Sequence, residues 1–514
     1  MNSIHAYDWF KKWAVYHPEK IAIKEYETDR TYTYKQINDL ANRTVIWLQE
    51  EYQISTGDRV AVLADNCLEY IVLLSAAQKS GIILVPLNYR LVGRELDFMI
   101  RDSEPMFLLV EDKYAAKIND LPAIGQVKKI LPLKAYTDFL GGEKYKGTTT
   151  QQADFEEDHP LFIIYTSGTT AYPKGAIYSH KMFFWNCINT AIRLEITTND
   201  RALNCAPPFH TGGWNVLQST FILFGGYTLL MKSFDADGIL DALENDEHTI
   251  FWGVPTMLKM MAASKNFATA DLSKIRYFVL GGEAMPIPLI ETYHAKGVPI
   301  RQGYGLTEVG PNVYSLDHSQ AIRKQGSIGT PNFFYEVRLV DSNGVDVPNN
   351  IPGELIIKAP TVTPGYWKNP EATENTIVDG WFHTGDLIKK DDEGYYYVVD
   401  RIKNMYISGG ENVYPAEVEH LIRTHEYVRD CAIIGVPDEK WGETGKAFVV
   451  LKDGCSLTQE ILMKYCLKNL AKYKTPKYVE FIDALPLNNA GKVDRRLLKR
   501  NNKEINKETN TENR

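Results

Sequence analysis

Strand–helix–strand units with glycine-rich loops constrain the fold of this chain more than any other feature of its sequence. In one unit, residues 277–280 predict a strand, residues 287–295 a helix, and residues 298–302 the next strand. Strands joined by such a crossover run parallel, so the loops that follow them emerge at the same edge of the sheet. Two glycine-rich loops, 281–285 and 303–308, should therefore meet at the edge where open α/β sheets bind ligands.

The same alternation occurs nearer the N-terminus, where residues 59–63 and 82–85 predict strands on either side of a helix over 68–79. A length of 514 residues predicts about three domains and is ample for a large core. We therefore predict an α/β fold in which residues 1–400 form a large N-terminal domain of several subdomains with parallel sheets.

The C-terminal part of the chain shows a different pattern. A helix near residues 416–424 is predicted to precede strands at 431–435 and 448–451. A second helix is predicted to begin at Ser456, whose hydroxyl can cap it together with Gln459. These elements indicate a small α+β domain with its own core.

The predicted small domain covers residues 405–500. The residues that follow it, 501–514, contain Ile505 as their only large apolar side chain. Such a polar segment cannot bury enough apolar surface to fold, so we expect a disordered tail.

The bulk properties of the chain limit its partners and its location. A net charge of −8 argues against nucleic acid as a main partner and leaves local basic patches for phosphate ligands open. No apolar run approaches the roughly 20 residues that a membrane span needs. The N-terminus lacks the charged and apolar segments of a secretory signal. Six cysteines without metal-binding spacing fit a reducing compartment, so we expect a cytoplasmic protein.

A polar loop follows the predicted apolar strand 161–165 and reads Tyr-Thr-Ser-Gly-Thr-Thr-Ala-Tyr-Pro-Lys-Gly over residues 165–175. Glycine lets backbone N–H groups approach an anion, hydroxyl groups add donors, and Lys174 supplies a positive charge. The common Walker pattern is not met, because Pro173 stands in place of its second glycine and Gly175 in place of its Ser or Thr. We interpret the loop as a phosphate-binding cradle; the alternative is a flexible polar turn.

Three further side chains suit a nucleotide. Glu308 ends the second glycine-rich loop, where a carboxylate can hold Mg²⁺ on phosphate oxygens. Asp386, in a Gly-Asp turn, can accept hydrogen bonds from both hydroxyls of a ribose, and Lys492 lies in a polar loop of the small domain. Taken singly, each of these side chains is more simply explained as an ordinary solvated surface residue. Together with the cradle, they indicate a bound nucleotide.

These motifs occur in the order typical of one enzyme family. The chain resembles the AMP-forming acyl-CoA synthetases of the adenylate-forming ligase superfamily over nearly its whole length, and in particular the fatty acid–CoA ligases. The resemblance rests on six ordered motifs, at residues 166–170, 207–210, 303–308, 381–386, 400–412 and 491–492. It implies an acid–thiol ligase that uses ATP, Mg²⁺ and CoA.

The resemblance also implies which residues bind ATP. Those around the β- and γ-phosphates would be Thr166, Ser167, Gly168, Thr169, Thr170 and Lys174. Those of the adenine slot would be Gly282, Glu283, Ala284 and Tyr304, whose ring would stack on the base. The α-phosphate, the Mg²⁺ ion and the ribose would be contacted by Thr307, by Glu308 and by Asp386 with Arg401, respectively.

In the implied reaction the substrate carboxylate attacks the α-phosphorus of ATP, and the CoA thiol then attacks the resulting acyl-adenylate. Lys492 would supply positive charge in the first step. The mobile small domain would rotate about a hinge at residues 401–404, where Lys403 absorbs the change in backbone dihedral angles. The rotation would bring Gly409 and Gly410 to the site. Glycine suits these positions because a side chain there would block the pantetheine of CoA.

His210 and Trp214 are the candidate residues for binding the acid. The resemblance places His210 beside the carboxylate or the acyl chain, whereas a buried core histidine is the alternative. Trp214 stands at a spacing where long-chain members of the family have a tryptophan that gates the fatty-acid tunnel, although a large aromatic can equally close a short pocket. We predict a medium- to long-chain fatty acid as the substrate, with an aryl acid as the alternative within the family.

Two positions depart from the family pattern. Ala171 stands where the cradle usually has glycine, and Asn404 replaces the usual acidic residue after the hinge. A ligase that passes its adenylate to a carrier protein stays open, as do the oligomeric state and peripheral contact with a membrane. A non-catalytic nucleotide- or acyl-binding protein is the alternative from another class. Such a protein would be expected to lack Lys492 or Glu308, and both are present.

Overall fold

The structure, a computed structural model, describes residues 7–166, 173–282, 285–402, 404–408, 411–438, 441–470, 472–488 and 491–502. The chain groups into two compact units. The first comprises Met1–Val337, Ile356–His383 and Glu393–Tyr396, and the second comprises Arg338–Leu355, Thr384–Asp392 and Tyr397–Arg514. The boundary near residue 400 and the hinge at 401–404 stay predictions.

A six-stranded sheet occupies the N-terminal part of the first unit. Its strands lie in the order Lys129–Pro132, Phe107–Val110, Arg59–Leu63, Ile83–Pro86, Pro160–Thr166 and Lys174–Ser179. They are parallel except for the last pair, which is antiparallel. The predicted parallel pair near 59–63 and 82–85 is confirmed, with Val60 opposite Leu84, and Gly81 ends the intervening helix at a φ of 72°.

A second sheet carries the predicted glycine-rich segments. Within the first unit its strands lie in the order Ser327–Pro331, Gly310–Leu316, Ile300–Leu306, Tyr277–Leu280, Ile250–Gly253, Arg201–Asn204, Tyr227–Leu230, Ile21–Glu25 and Thr31–Thr33. The strands at 277–280 and 300–306 are parallel, with Leu280 opposite Gln302, as the sequence predicts. The segments that follow these two strands therefore share one edge of the sheet.

The second glycine-rich segment is not the loop that we expected. The strand Ile300–Leu306 continues through it, and the single turn Thr307–Val309 returns the chain into the antiparallel strand Gly310–Leu316. Gly305 permits this close return, because a Cβ atom there would lie 2.2 Å from the carbonyl carbon of Pro311. The residues of the turn are thereby held in a hairpin rather than in a free loop.

Helices pack with these sheets in the first unit. They are Trp9–Tyr16, Tyr34–Tyr52, Leu68–Ser80, Gly93–Ser103, Leu133–Gly141, His180–Leu194, Thr211–Asn215, Gln218–Phe224, Ala236–Asn245, Pro255–Ala262, Ile287–Ala295 and Pro370–Thr376. The helix at 68–80 is buried along its whole length and forms part of the core. Among the described residues, no helix has the length and apolar character needed to cross a membrane.

The second unit mixes strands and helices. The boundaries between the units fall within the strands Glu336–Val340, Gly353–Lys358, Trp381–Lys390 and Tyr396–Arg401, and between Asp392 and Glu393. A separate five-stranded sheet has the order Glu411–Val413, Tyr406–Ser408, Gly442–Leu451 and Val428–Asp438, with Tyr478–Phe481 parallel to Gly442–Leu451. Its helices include Pro415–Arg423 and Gln459–Asn469. The predicted α+β character of the C-terminal part is confirmed.

The helix at 459–469 begins later than predicted. Thr458, not Ser456, is its N-cap, and the Thr458 hydroxyl accepts a hydrogen bond from the backbone N–H of Ile461 at 3.3 Å. Leu457 is buried in the core of this unit. Burial of that side chain draws the preceding segment inward and leaves Thr458 as the residue that can cap the helix.

The last described residues belong to a helix. Residues 495–502 are helical, and the Lys446 ammonium donates to the side-chain oxygen of Asn502 at 2.8 Å. The rest of the expected disordered tail, residues 503–514, lies outside the described part of the chain.

Candidate active site

The carboxylate of Glu308 joins three segments of the first unit. Its Oε1 atom accepts hydrogen bonds from the Thr166 hydroxyl at 3.2 Å and from the Tyr366 hydroxyl at 3.1 Å. The backbone is held as well, because the Thr363 N–H donates to the Glu308 carbonyl oxygen at 2.8 Å. A carboxylate offers about four lone-pair sites, so this one is fixed in place and still able to contact a cation.

The two ends of the predicted phosphate cradle lie side by side. Thr166 ends one strand opposite Lys174, which begins the antiparallel neighbour, and the Thr166 hydroxyl lies 3.4 Å from the Lys174 carbonyl oxygen. Gly175 allows the hairpin to pack, since a Cβ atom there would lie 2.7 Å from a methyl group of Ile163. The tip of the cradle, residues 167–172, lies outside the described residues.

Tyr366 is a candidate functional residue that the sequence analysis missed. Its hydroxyl donates to Glu308, and Lys174 Nζ lies 5.0 Å from the centre of its ring. Burial and the negative charge of Glu308 raise the pKa of Tyr366. A phenol is protonated at neutral pH even without such a shift, so the Tyr366 hydroxyl is the donor of this hydrogen bond. In the sequence, the only sign of a special position here is the preceding Gly365. The structure explains this glycine, because its φ is 147° and a Cβ atom there would lie 2.7 Å from Thr373.

The first glycine-rich loop is tied to the strand beside it. The Met285 N–H donates to the side-chain oxygen of Gln302 at 3.0 Å, and Gln302 is itself buried. Gly282 has a φ of 87°, which residues with a side chain rarely adopt. The half-buried ring of Tyr304 stands edge-on to that of Tyr314, with 5.8 Å between their centres. Met285 and Tyr304 are thus held at the shared edge of the sheet.

The oxygen atoms around Glu308 suit Mg²⁺. This ion prefers oxygen ligands and usually takes one or two protein carboxylates, with phosphate and water in its other positions. Here one carboxylate lies with the hydroxyls of Thr166 and Tyr366. The described residues contain no group of three or more His, Cys, Asp or Glu side chains that could hold a metal ion. A magnesium ion held by Glu308 would therefore depend on phosphate ligands.

His210 and Trp214 belong to one turn of the first unit. His210 is half-buried and directly precedes the helix Thr211–Asn215, within which Trp214 lies. Trp214 is buried, and its indole N–H donates to the Pro208 carbonyl oxygen at 2.6 Å. The aromatic rings packed around it are those of Tyr70 and Phe162. These contacts explain Trp214 as a core residue, and its gating role stays a prediction.

A second tryptophan lies beside the same helix. The ring edge of Trp252 approaches Gly212 so closely that a Cβ atom at Gly212 would lie 2.8 Å from it. Trp252 is half-buried in the strand Ile250–Gly253, and Gly212 lies two residues after His210. Trp252 is therefore a large apolar side chain next to the predicted acid-binding turn, although its own sequence surroundings carry no signal of this position.

In the second unit, the predicted ribose-binding residues contact each other. Arg401 Nε lies 2.8 Å from Asp386 Oδ1, and the Asp386 side chain is only 3% exposed. The turn is held at Gly385, whose N–H donates to Glu354 Oε1 at 3.0 Å. Because a buried carboxylate without a counter-charge is costly, Arg401 both compensates the charge of Asp386 and orients it.

Lys492 lies in a narrow turn of the second unit. Its backbone N–H donates to the side-chain oxygen of Asn488 at 3.1 Å, and the Asn488 N–H donates to the Lys492 carbonyl oxygen at 2.7 Å. Gly491 has a φ of 77° and completes the turn. Arg495 anchors its base, since Nη2 lies 2.6 Å from Oε1 of the buried Glu419. The exposed Lys492 side chain thus stands on a well-held backbone.

The structure brings together only part of the predicted site. Thr166, Lys174 and Glu308 meet in the first unit, and Asp386 and Arg401 meet in the second. The predicted site residues that lie outside the described part of the chain are Ser167, Gly168, Thr169, Thr170, Glu283, Ala284, Lys403, Gly409 and Gly410. Their roles stay predictions.

Comparison with known proteins decides the family. The profile of the AMP-binding enzymes matches residues 10–367, and the profile of the AMP-binding enzyme C-terminal domain matches residues 417–492. The chain belongs to the AMP-binding enzyme family. The resemblance inferred from the six motifs is confirmed.

Relatives of this AMP-binding enzyme match most of its length. It is 40% identical to a feruloyl-CoA synthase of an Amycolatopsis species over 86% of this chain and 88% of the relative. It is 37% identical to the long-chain-fatty-acid–CoA ligase FadD13 of Mycobacterium tuberculosis over 94% and 95% of the two chains. Among solved structures, the o-succinylbenzoate coenzyme A synthetase of Bacillus subtilis with ATP and magnesium ion is 30% identical. The two chains are covered to 96% and 99%, with a TM-score of 0.83.

This AMP-binding enzyme is an adenylate-forming acid–CoA ligase, with ATP, Mg²⁺ and CoA as its cofactors. The enzyme class and the cofactors predicted from the sequence are confirmed. Its relatives divide between fatty and aryl acids, so the acid has to be inferred from the site.

Proposed function

We propose that this ligase joins an apolar carboxylic acid to CoA, and that the acid is a medium- to long-chain fatty acid. The observation that carries the proposed chemistry is the meeting of Thr166, Lys174 and Tyr366 around Glu308. Hydroxyl donors, an ammonium and a carboxylate are together suited to a triphosphate with its magnesium ion. The similarity to FadD13 over 94% of the chain supports a fatty acid.

In the first half-reaction, one carboxylate oxygen of the acid attacks the α-phosphorus of ATP. The bond from this phosphorus to the pyrophosphate oxygen breaks, so that acyl-adenylate and pyrophosphate form. Lys492 offsets the negative charge that two approaching anions build up. Glu308 would hold Mg²⁺, which when bound would neutralise part of the charge on the leaving pyrophosphate.

The proposed contacts to ATP divide by the part of the nucleotide. Those to the phosphates come from Thr166, Ser167, Gly168, Thr169, Thr170, Lys174 and Thr307. Those to the adenine come from Gly282, Glu283, Ala284 and Tyr304. Asp386 accepts hydrogen bonds from the ribose hydroxyls, and Arg401 orients that carboxylate.

In the second half-reaction, the CoA thiol attacks the carbonyl carbon of the adenylate. A C–S bond forms, the C–O bond to AMP breaks, and the thiol proton passes to solvent. Gly409 and Gly410 leave room for the pantetheine because they carry no side chain. Lys403 is the hinge residue that lets Lys492 withdraw between the two steps. His210 lies beside the reacting carboxyl group.

An aryl acid is the second candidate, and the position of Trp252 favours it. The indole fills the space next to Gly212, two residues from His210. An aromatic substrate can stack on an indole ring, whereas a long alkyl chain has to pass it. The 40% identity with a feruloyl-CoA synthase supports the same candidate.

Replacing Trp252 with alanine should shift the enzyme towards longer acids. Because the substitution opens space at Gly212, we expect the ratio of kcat/KM for hexadecanoate to that for octanoate to rise about tenfold. Gly212→Ala should lower this ratio. Its added methyl group would clash with the indole of Trp252 and leave less space for a long chain. Trp185→Ala is the matched control, because Trp185 packs against Phe334 instead. An unchanged ratio in Trp252→Ala would place the indole outside the acid site.

Pyrophosphate release across a panel of fatty and aromatic acids, each with ATP and Mg²⁺ and with or without CoA, tests the proposed substrate. Release that rises with chain length and is sustained only with CoA is the expected result. Turnover restricted to aromatic acids would select the second candidate. Absence of release with every acid would contradict both.

A further inference from the structure

Three buried asparagines of the first unit meet at the end of the short helix that follows His210. The backbone carbonyl oxygen of Asn215, the last residue of this helix, accepts two hydrogen bonds from side-chain amides. Asn186 Nδ2 donates to it at 2.6 Å and Asn312 Nδ2 at 3.0 Å. The side chain of Asn215 donates in turn to the Thr211 hydroxyl at 3.0 Å, at the start of the same helix.

The same asparagines reach the turn that carries Glu308. Asn312 lies in the strand directly after this turn and also donates to the Thr190 hydroxyl at 2.6 Å. Asn186 packs against Gly310, the glycine that ends the turn. The contact is close, since a Cβ atom added at Gly310 would lie 3.0 Å from Asn186 Oδ1. The cluster therefore contacts the His210 turn on one side and the Glu308 turn on the other.

The burial of these amides makes their hydrogen bonds directional constraints. Asn186 and Asn215 are fully buried and Asn312 nearly so. The hydrogen bonds described above give partners to the amide N–H groups of all three residues, which would otherwise cost free energy. The helix Thr211–Asn215 is short, and the last carbonyl groups of a helix lack partners within it. Side-chain amides supply a partner at a fixed angle, whereas apolar side chains of equal volume would fill the space without setting a direction.

We propose that Asn186, Asn215 and Asn312 form an amide cluster that positions the His210 turn against the Glu308 turn. The inference rests on the proposed function, in which these two turns carry the acid and the magnesium–ATP complex. The asparagines are positioning residues, since their contacts are to the protein backbone and to hydroxyl side chains. In-line attack needs the reacting atoms about 3–3.5 Å apart, and a displacement of about 1 Å can lower a rate by about 10²-fold.

Asn312→Leu, which keeps the number and branching of the side-chain heavy atoms and removes the donors, tests the proposal. We expect kcat for adenylate formation to fall about 10- to 100-fold, with the Kd of ATP measured without acid changed by less than about twofold. The matched control is Asn42→Leu, because Asn42, in the helix Tyr34–Tyr52, is also buried and its side-chain oxygen accepts a hydrogen bond from Thr150 rather than from either turn. Equal kinetic effects of the two substitutions would show that the cluster only stabilises the fold, and would overturn the proposal.

Hydrogen exchange of the full-length variant without ligands gives a second readout that does not depend on activity. Faster exchange confined to residues 207–217 and 305–312 is expected. Unchanged exchange in both segments would overturn the positioning role, whichever acid the enzyme uses. A wild-type enzyme that is silent on every acid would instead contradict the proposed function, and exchange would still decide the role of the cluster. Asn186→Ala removes one of the two amide donors to the Asn215 carbonyl oxygen, and it replaces Asn312→Leu in both measurements if that variant does not fold.

Discussion

Lys492→Ala should lower the rate of acyl-adenylate formation by about 10²- to 10³-fold, the usual cost of removing one group that stabilises transition-state charge. Two anions, the carboxylate and the α-phosphate, must approach in this step, so a positive charge matters most here. The second half-reaction, started from supplied acyl-adenylate and CoA, should proceed at nearly the wild-type rate. Acid-dependent exchange of pyrophosphate into ATP measures the first step, and single-turnover formation of the thioester measures the second.

The structure provides a control for the Lys492 substitution. Lys499 is an exposed lysine in the helical segment that follows the same turn, so Lys499→Ala makes the same change in charge without removing the proposed catalytic group. The Lys492 turn itself is held by Asn488, Gly491 and Arg495. We therefore expect the variant to keep its fold. Equal losses in both half-reactions would contradict the assignment of Lys492 to adenylation alone.

Glu308→Gln should reduce kcat/KM for the magnesium–ATP complex by about 10²-fold, a loss typical for one charged contact to the reacting groups. Glutamine keeps the size of the side chain and an oxygen that can accept from Thr166 and Tyr366, but it removes the negative charge that we propose binds Mg²⁺. The concentration of Mg²⁺ that gives half-maximal activity should rise strongly, and a magnesium titration at saturating ATP measures it.

Tyr366→Phe gives a graded version of the same test. It leaves the Glu308 carboxylate charged and removes one of its two hydroxyl donors, so we expect a loss of about tenfold or less. Glu291→Gln is the matched control, because Glu291 is exposed on the helix Ile287–Ala295. A magnesium requirement that stays at the wild-type value in Glu308→Gln would show that Glu308 does not hold the metal ion.

Parallel pairing of the strands at 277–280 and 300–306 could be predicted because its signals are local. Apolar runs mark the strands, a helix of suitable length separates them, and the direction of the second strand follows from the crossover. The return of the chain at Thr307–Val309 could not be predicted in the same way. Gly305 suggested a loop, whereas its function is to let the chain pass close to Pro311, and that contact exists only once the hairpin has formed.

The sequence by itself determined the family, the enzyme class and the cofactors, because each follows from residue types within short ordered motifs. Only the tertiary structure decided which side chains meet. Tyr366 donates to Glu308 from 58 residues away, Trp252 lies against Gly212, and Trp214 packs in the core. Each of these contacts depends on the order and register of strands that are distant along the chain. Packing and hydrogen bonds across a sheet have no local pattern that would reveal them beforehand.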